Sequence, residues 1–285
     1  MALTTQQLFS NAIIAYMSEL EGGKLKKFCE TMTQTGGDSI TFNRLKKSKG
    51  NGTLVSMFST DPTDGGDMKD IKAPIKYIGE QMKISDEDIK KTAIDIKSAY
   101  VKSLSRGVMR REDSEIIAKI VASTPIASPG ETAATKVQTS GDWAQTNNID
   151  KLVKAIKRAQ AKAEYTPDGH QGVALVMSAD DWADLYTSDY CMNADYAVAY
   201  GGDGKPTSFF GAEIVLMDDT NVGNTHHIAY VIPSNTICFG EWEGSVRGDA
   251  IFMPTDKMRW HLQAVKSIGV ALAEPNEIVQ FTNQG

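Results

Sequence analysis

The chain has 285 residues, of which 41% are hydrophobic, 23% charged and 8% aromatic; these values exclude a disordered or fibrous chain and permit one large domain or two small ones. Its 30 Lys and Arg against 36 Asp and Glu leave a net charge of -6, which excludes a sequence-independent grip on nucleic acid by the molecule as a whole. Cys29, Cys191 and Cys238 lie far apart with no C-x-x-C pair, which argues against a disulfide frame or zinc site and for inert thiols.

The N-terminus carries neither a basic patch nor the apolar core of a signal peptide, and no stretch approaches about 18 continuous apolar residues. A chain made and kept in the cytoplasm, away from membranes, is the expectation. Thr4 and Gln7 resemble a capping box, after which Leu8, Phe9, Ala12, Ile13, Tyr16 and Met17 line one stripe of a short helix. Gly22-Gly23 and Gly36-Gly37 punctuate the residues after it, so the stripe reads as an arm over 1–38 held away from the body. Its apolar face then needs a partner.

From Ser39 to Phe58 the pattern alternates, with Ile40 and Phe42 on one face, Lys46, Lys47 and Lys49 near a tip, and Gly50-Asn51-Gly52 before Thr53-Leu54-Val55. Asn-Gly between extended runs predicts a hairpin turn, because both central residues must accept positive φ. The strands are thinly apolar and an Asp- and Gly-rich stretch (62–68) comes next. A hairpin over 39–58 that projects with the stretch after it, and is covered by a neighbour, is the expectation. Ser85-Asp86-Glu87-Asp88 is an acidic helix start, and apolar residues from Ile89 to Val121 then recur mostly at spacings of three to five. Unbroken, that helix has about 38 residues and spans about 57 Å, with Gly107 as a point of bending.

Thr124 to Gly141 reads as a loop, and Asn148 as the cap of a helix with Ile149, Leu152, Val153, Ile156 and Ala163 on one face. The run 172–177 is a buried strand, and Ser178-Ala179-Asp180-Asp181 caps a helix carrying Trp182 and Leu185. Strands are expected at 212–217, 228–232 and 236–239, and long antiparallel strands after Met258, where Trp260, Leu262 and Ala264 alternate with polar residues.

No arrangement of residues carries catalysis. Gly201-Gly202-Asp203-Gly204-Lys205 imitates a phosphate loop, but Pro206 stands where a Ser or Thr hydroxyl is needed and Ala199 where the first glycine belongs. Asp61, Asp64 and Asp67 lack calcium-loop spacing, with Lys72 in place of the bidentate Glu. His226 and His227, as strand neighbours, point to opposite faces. His170 and His261 have no nucleophile turn, and Asp180, Asp181 and Asp184 suit a helix start. The expectation is a non-enzyme with no catalytic, cofactor-binding or metal residues and no cofactor.

Three segments, "ALVMSADDWADLY" (174–186), "FFGAEIVLMDD" (209–219) and "GDAIFMPTDKMRWHLQAVKSIGVALAEPNEIVQF" (248–281), together with the order of arm, hairpin, long helix and closing strands, resemble the major capsid proteins of tailed bacteriophages. The resemblance implies an α+β Hong Kong 97-type capsid fold. It implies an N-terminal arm (1–38), an extended hairpin loop (39–84), a peripheral domain with the spine helix (85–146 and 247–285) and an axial domain (147–246). The glycine loop at 201–205 then belongs to the axial domain.

For function, the resemblance implies a coat protein that assembles into hexamers and pentamers of an icosahedral head in the host cytoplasm and ends in the virion. The head encloses double-stranded DNA without sequence-specific binding and involves no membrane. Implied partners are further copies of itself, a separate scaffolding protein, a portal and a decoration protein. Leu8, Phe9, Ile13, Phe42, Lys47, Asn51, Gly52 and Leu54 are the expected subunit-interface residues, the arm's stripe and the hairpin being buried only on assembly. The alternatives are an encapsulin-like nanocompartment shell and an α/β enzyme with an unrecognised site.

Overall fold

The computed structural model of the chain describes residues 5–19, 23–45, 68–85, 96–122, 135–139, 143, 146–163, 172–188, 208–217, 228–254, 256 and 259–283. Two sheets organise them. The first is built on β12 (Arg259–Leu272), a strand of 14 residues, with β4 (Lys76–Ser85) antiparallel along one edge from Lys76↔Ile268 to Ser85↔Arg259. Along the other edge run β10 (Ile237–Trp242) and β11 (Arg247–Met253), also antiparallel. β1 (Glu30–Gln34) lies parallel to β10 and completes the five strands.

The second sheet has six strands in the order β5 (Thr135–Thr139), β13 (Val279–Asn283), β9 (Ala229–Pro233), β6 (Val173–Ser178), β8 (Ala212–Met217) and β7 (Ser208–Phe209). Every residue of β6 is buried, as a strand covered on both faces requires. Val173, Leu175 and Met177 meet Ile149, Leu152 and Ile156 of α3 (Thr146–Ala163), while Ala174 and Val176 join the core of the first sheet. α4 (Ala179–Tyr186) comes directly after β6, and Ser178 caps it by accepting the Asp181 N–H at 3.0 Å. Phe210 and Gly211 take φ of 50° and 84° to turn β7 into β8, a two-residue hairpin of the primed kind.

The long helix, α2 (Ile96–Val121), has 26 residues and stays helical through Gly107. Its Val101, Leu104, Val108, Ile116, Ile117 and Ile120 are buried against Ile78, Ile84, Leu262, Ala264 and Ile268 of the first sheet. The expected start at 85–88 lies in a segment of which 86–95 is outside the described residues.

Three expectations are corrected. α1 (Thr5–Glu19) is not held away from the body: Phe9 (5% exposed), Ile13 (0%) and Met17 (7%) are buried in the same core as α2 and β11. Gly248 of β11 is the reason, since a Cβ there would stand 2.6 Å from Ile13 Cδ1, and its absence lets the helix lie on the strand. Each such side chain contributes about 1.5–3 kcal/mol when buried, so docking within the chain outcompetes a free stripe.

The hairpin differs also. β2 (Ser39–Leu45) pairs with β3 (Met68–Pro74) from Ser39↔Pro74 to Leu45↔Met68, so its described partner lies beyond the stretch that ends at Phe58. Residues 46–67, and with them Lys47, Asn51, Gly52 and Leu54, lie outside the described residues. The base of this pair is not exposed: Ile40, Phe42, Ile71 and Ala73 bury themselves against Cys238, Trp242, Ala271 and Ala273. Phe42 is 1% exposed within its own chain. Lastly, Asn148 does not cap α3 but sits buried inside its first turn, which begins at Thr146.

Candidate assembly surface and its charged junction

Between the two sheets and α2 runs a short connector whose backbone is held by carboxylates. Glu112 Oε2 accepts the N–H of Gly23 at 2.9 Å, and Asp113 accepts those of Lys24 and Leu25 at 3.0 and 2.9 Å. Both acids stand in the apolar seam of α2, at 0% and 5% exposure. Gly23 is required by this contact, because a Cβ would fall 2.4 Å from Asp113 Oδ1.

Glu112 is also the anchor of an ion-pair chain. Its Oε1 accepts from Lys266 Nζ at 2.5 Å; Lys266 donates again to Glu241 at 2.7 Å, and Glu241 accepts from Lys26 at 2.7 Å. Lys266 occupies an inward position of β12, between Ala264 and Ile268. Two carboxylates facing its ammonium raise its pKa despite burial, and Lys266 and Lys26 hold that of Glu241 low. Asp113 behaves oppositely: desolvation, opposed by its backbone hydrogen bonds, pushes its pKa up to about 6.

The remaining lysines of the connector reach the two sheets. Lys24 Nζ donates to the Leu216 carbonyl at 2.6 Å, and Lys27 pairs with Glu213, both on β8. The segment 23–28 is thereby fastened to α2, β8 and β10. That geometry positions the connector. Among the described residues no group of three or more His, Cys, Asp or Glu could hold a metal ion.

The outward surface offers contact area. Tyr77 of β4 is 72% exposed and borders a groove of about 940 Å³ lined also by Trp242, Glu243, Arg247, Asp249 and Gln263. At the far end of the first sheet Ile251 and Phe252 are exposed, and Phe252 rests on its cross-strand partner Trp260 at 5.2 Å. Large apolar groups in open solvent, rimmed by charge, are features that surfaces contacting other chains share.

Of the expected interface residues, Phe9, Ile13 and Phe42 are core, and the side chain of Leu8 lies outside the described residues with Lys47, Asn51, Gly52 and Leu54. His170, Cys191, His226, His227 and the 201–205 loop lie outside them as well. Glu112, Asp113, Lys266 and Tyr77 escaped the sequence reading. Their signal was present: Glu112 falls in the ladder 104, 108, 112, 116, 120, and Lys266 in the alternation 262, 264, 266, 268. A charge of each sign in two apolar patterns is a pair waiting to be matched.

A family model described as phage capsid protein matches residues 2–284. No curated protein sequence matches the chain. Among solved structures, a virus-like particle from Pyrococcus furiosus is similar at 13% identity, over 98% of this chain and 100% of that one, with a TM-score of 0.62. The capsid of a native GTA particle is similar at 15% identity, over 92% and 90%, with a TM-score of 0.64. Mycobacterium phage Che8 gives 14% identity, 87% and 85% coverage and a TM-score of 0.61.

Proposed function

The chain belongs to the phage capsid protein family and is a major capsid protein of Hong Kong 97-type fold, and from that premise we propose how it builds its shell. Copies associate through heterologous contacts into hexamers and pentamers that close an icosahedral head around double-stranded DNA. The observation that carries this is the match of the family model from residue 2 to residue 284, over a fold whose structural neighbours are capsids. The nanocompartment alternative is not favoured, since the matching family is one of phage capsids.

In this reading the protein is structural rather than enzymatic, and its work is geometry. The parts at 39–84, 85–146 with 247–285, and 147–246 serve as extended loop, peripheral domain and axial domain, while in the arm at 1–38 α1 stays docked on its own body. Both sheets draw strands from either side of the 146 and 246 boundaries, which supports peripheral and axial parts moving as one rigid body. Leu8, Lys47, Asn51, Gly52 and Leu54 remain contact candidates, joined by Tyr77 and Phe252. A separate scaffolding protein, a portal and a decoration protein complete assembly in the host cytoplasm.

The test is to express the chain alone and with neighbouring genes and to image the heaviest sizing-column fraction by negative-stain microscopy. Shells, tubes or capsomer rings are expected. A monomer or dimer under both conditions overturns the proposal.

A further inference from the structure

The charges of α2 are sorted by face. Glu112, Asp113 and Glu115 are buried, whereas Lys102, Arg106, Arg110, Arg111 and Lys119 are exposed. Arg111 is paired with Glu115 at 3.3 Å. Lys102, Arg106 and Arg110 stand four residues apart in one row, rising about 6 Å per step along the helix. Among the described residues none of the three forms an ion pair; Arg110 Nε reaches only the Arg106 carbonyl, at 3.5 Å. Glu80 of β4 lies to one side of the row, its Cγ 2.8 Å from where a Cβ of Gly107 would be.

We propose that this row is a phosphate-binding ridge for the duplex DNA inside the shell, an inference that rests on the reading of the shell as a DNA container. Three features favour a nucleic-acid backbone over a protein partner. Phosphates recur about every 3.4 Å of axis along one strand, so every second phosphate falls within about 1 Å of the 6 Å step. Two of the three cations are guanidinium groups, which grip phosphate with two parallel hydrogen bonds. Among the described residues, the exposed ones beside the row are Ala99 and Ser103, with none of the aromatic or large aliphatic anchors that protein interfaces depend on.

The net charge of -6 limits the effect usefully. The molecule as a whole repels DNA, so attraction at the ridge is local, weak per copy and repeated in every subunit. DNA can then line the wall and still leave.

The test compares the purified chain with the triple variant Lys102→Gln, Arg106→Gln, Arg110→Gln, using anisotropy of a labelled 20-bp duplex between 50 and 200 mM salt. Three released counterions give a slope of log K against log salt of about -2.7, or a loss of about forty-fold over that range. The triple variant is expected to bind weakly with a slope near zero, and Arg106→Gln alone to reduce the slope by about 0.9. Equal affinity and slope in wild type and variants overturns the ridge. Tighter binding of a polyglutamate peptide than of the duplex overturns DNA as its ligand and assigns the ridge to an acidic protein. Microscopy of the same samples reads shell formation separately, so failure of the container reading is distinguishable from failure of the ridge.

Discussion

Asp113 carries the sharpest consequence at the scale of single residues. Its pKa rises from 3.8 to about 6 on folding, chiefly by desolvation, so the native state binds the extra proton between those values. Its stabilising contribution is therefore full below about pH 4 and is lost as pH rises through about 6, a span of about 3 kcal/mol. Glu241, held low by Lys266 and Lys26, works in the other direction and loses its contribution as pH falls through its depressed pKa. Asp113→Asn separates the two, because Glu241 is common to both proteins. Urea midpoints from pH 4 to 7 should show wild type gaining up to about 3 kcal/mol over the variant as pH falls; parallel profiles would show that Asp113 does not titrate there. Lys266→Met is expected to cost about 3–5 kcal/mol at pH 7, since Glu112 is left buried and unpaired, and adding Glu112→Leu should recover part of it. Urea unfolding of the single and double variants measures both steps.

At the scale of elements, the docking of α1 depends on a missing side chain. Gly248→Val places carbon where Ile13 Cδ1 and Cβ now stand, at 2.6 and 2.9 Å from a Cβ position, and α1 must lift from β11. Faster amide exchange confined to 5–19, with the cores of β6 and α3 protected as before, is the expected result; unchanged exchange in α1 would mean the helix is held elsewhere. The same contact explains what the sequence could and could not tell. β6, α4 with its Ser178 cap, and β12 were legible because their signals are local: an apolar run, a side-chain acceptor three residues from an N–H, a period of two. The apolar stripe of α1 was legible too, but its partner was not, because a glycine 235 positions from Ile13 supplies the bed. The strand partner of β2 was not legible for a related reason: Asn51-Gly52 signals only a local turn, whereas the pairing Ser39↔Pro74 joins distant residues and buries Ile40 and Phe42 against Trp242 and Ala271.

At the scale of the whole molecule, the junction and the exposed surface divide the labour of a shell subunit. A connector fastened to α2, β8 and β10 by Glu112, Asp113 and its own lysines, with Lys266 reaching in from β12, lets the body meet its neighbours as one piece. As contact candidates, Tyr77 on one face of the first sheet and Phe252 on the other, at its far end, would give aromatic area at small entropic cost. In the free subunit Tyr77 is 72% exposed and has little folding energy to lose, whereas Phe252, 39% exposed, loses its contact with Trp260, about 1 kcal/mol. The double variant Tyr77→Ser, Phe252→Ser should therefore lower its thermal midpoint by no more than about 4 °C and form few shells under conditions where wild type forms many. Thermal melting and particle counts by negative-stain microscopy read the two quantities apart. A variant that assembles at wild-type yield would remove both rings from the subunit contacts; one that melts far earlier would place them in the fold's own stability instead.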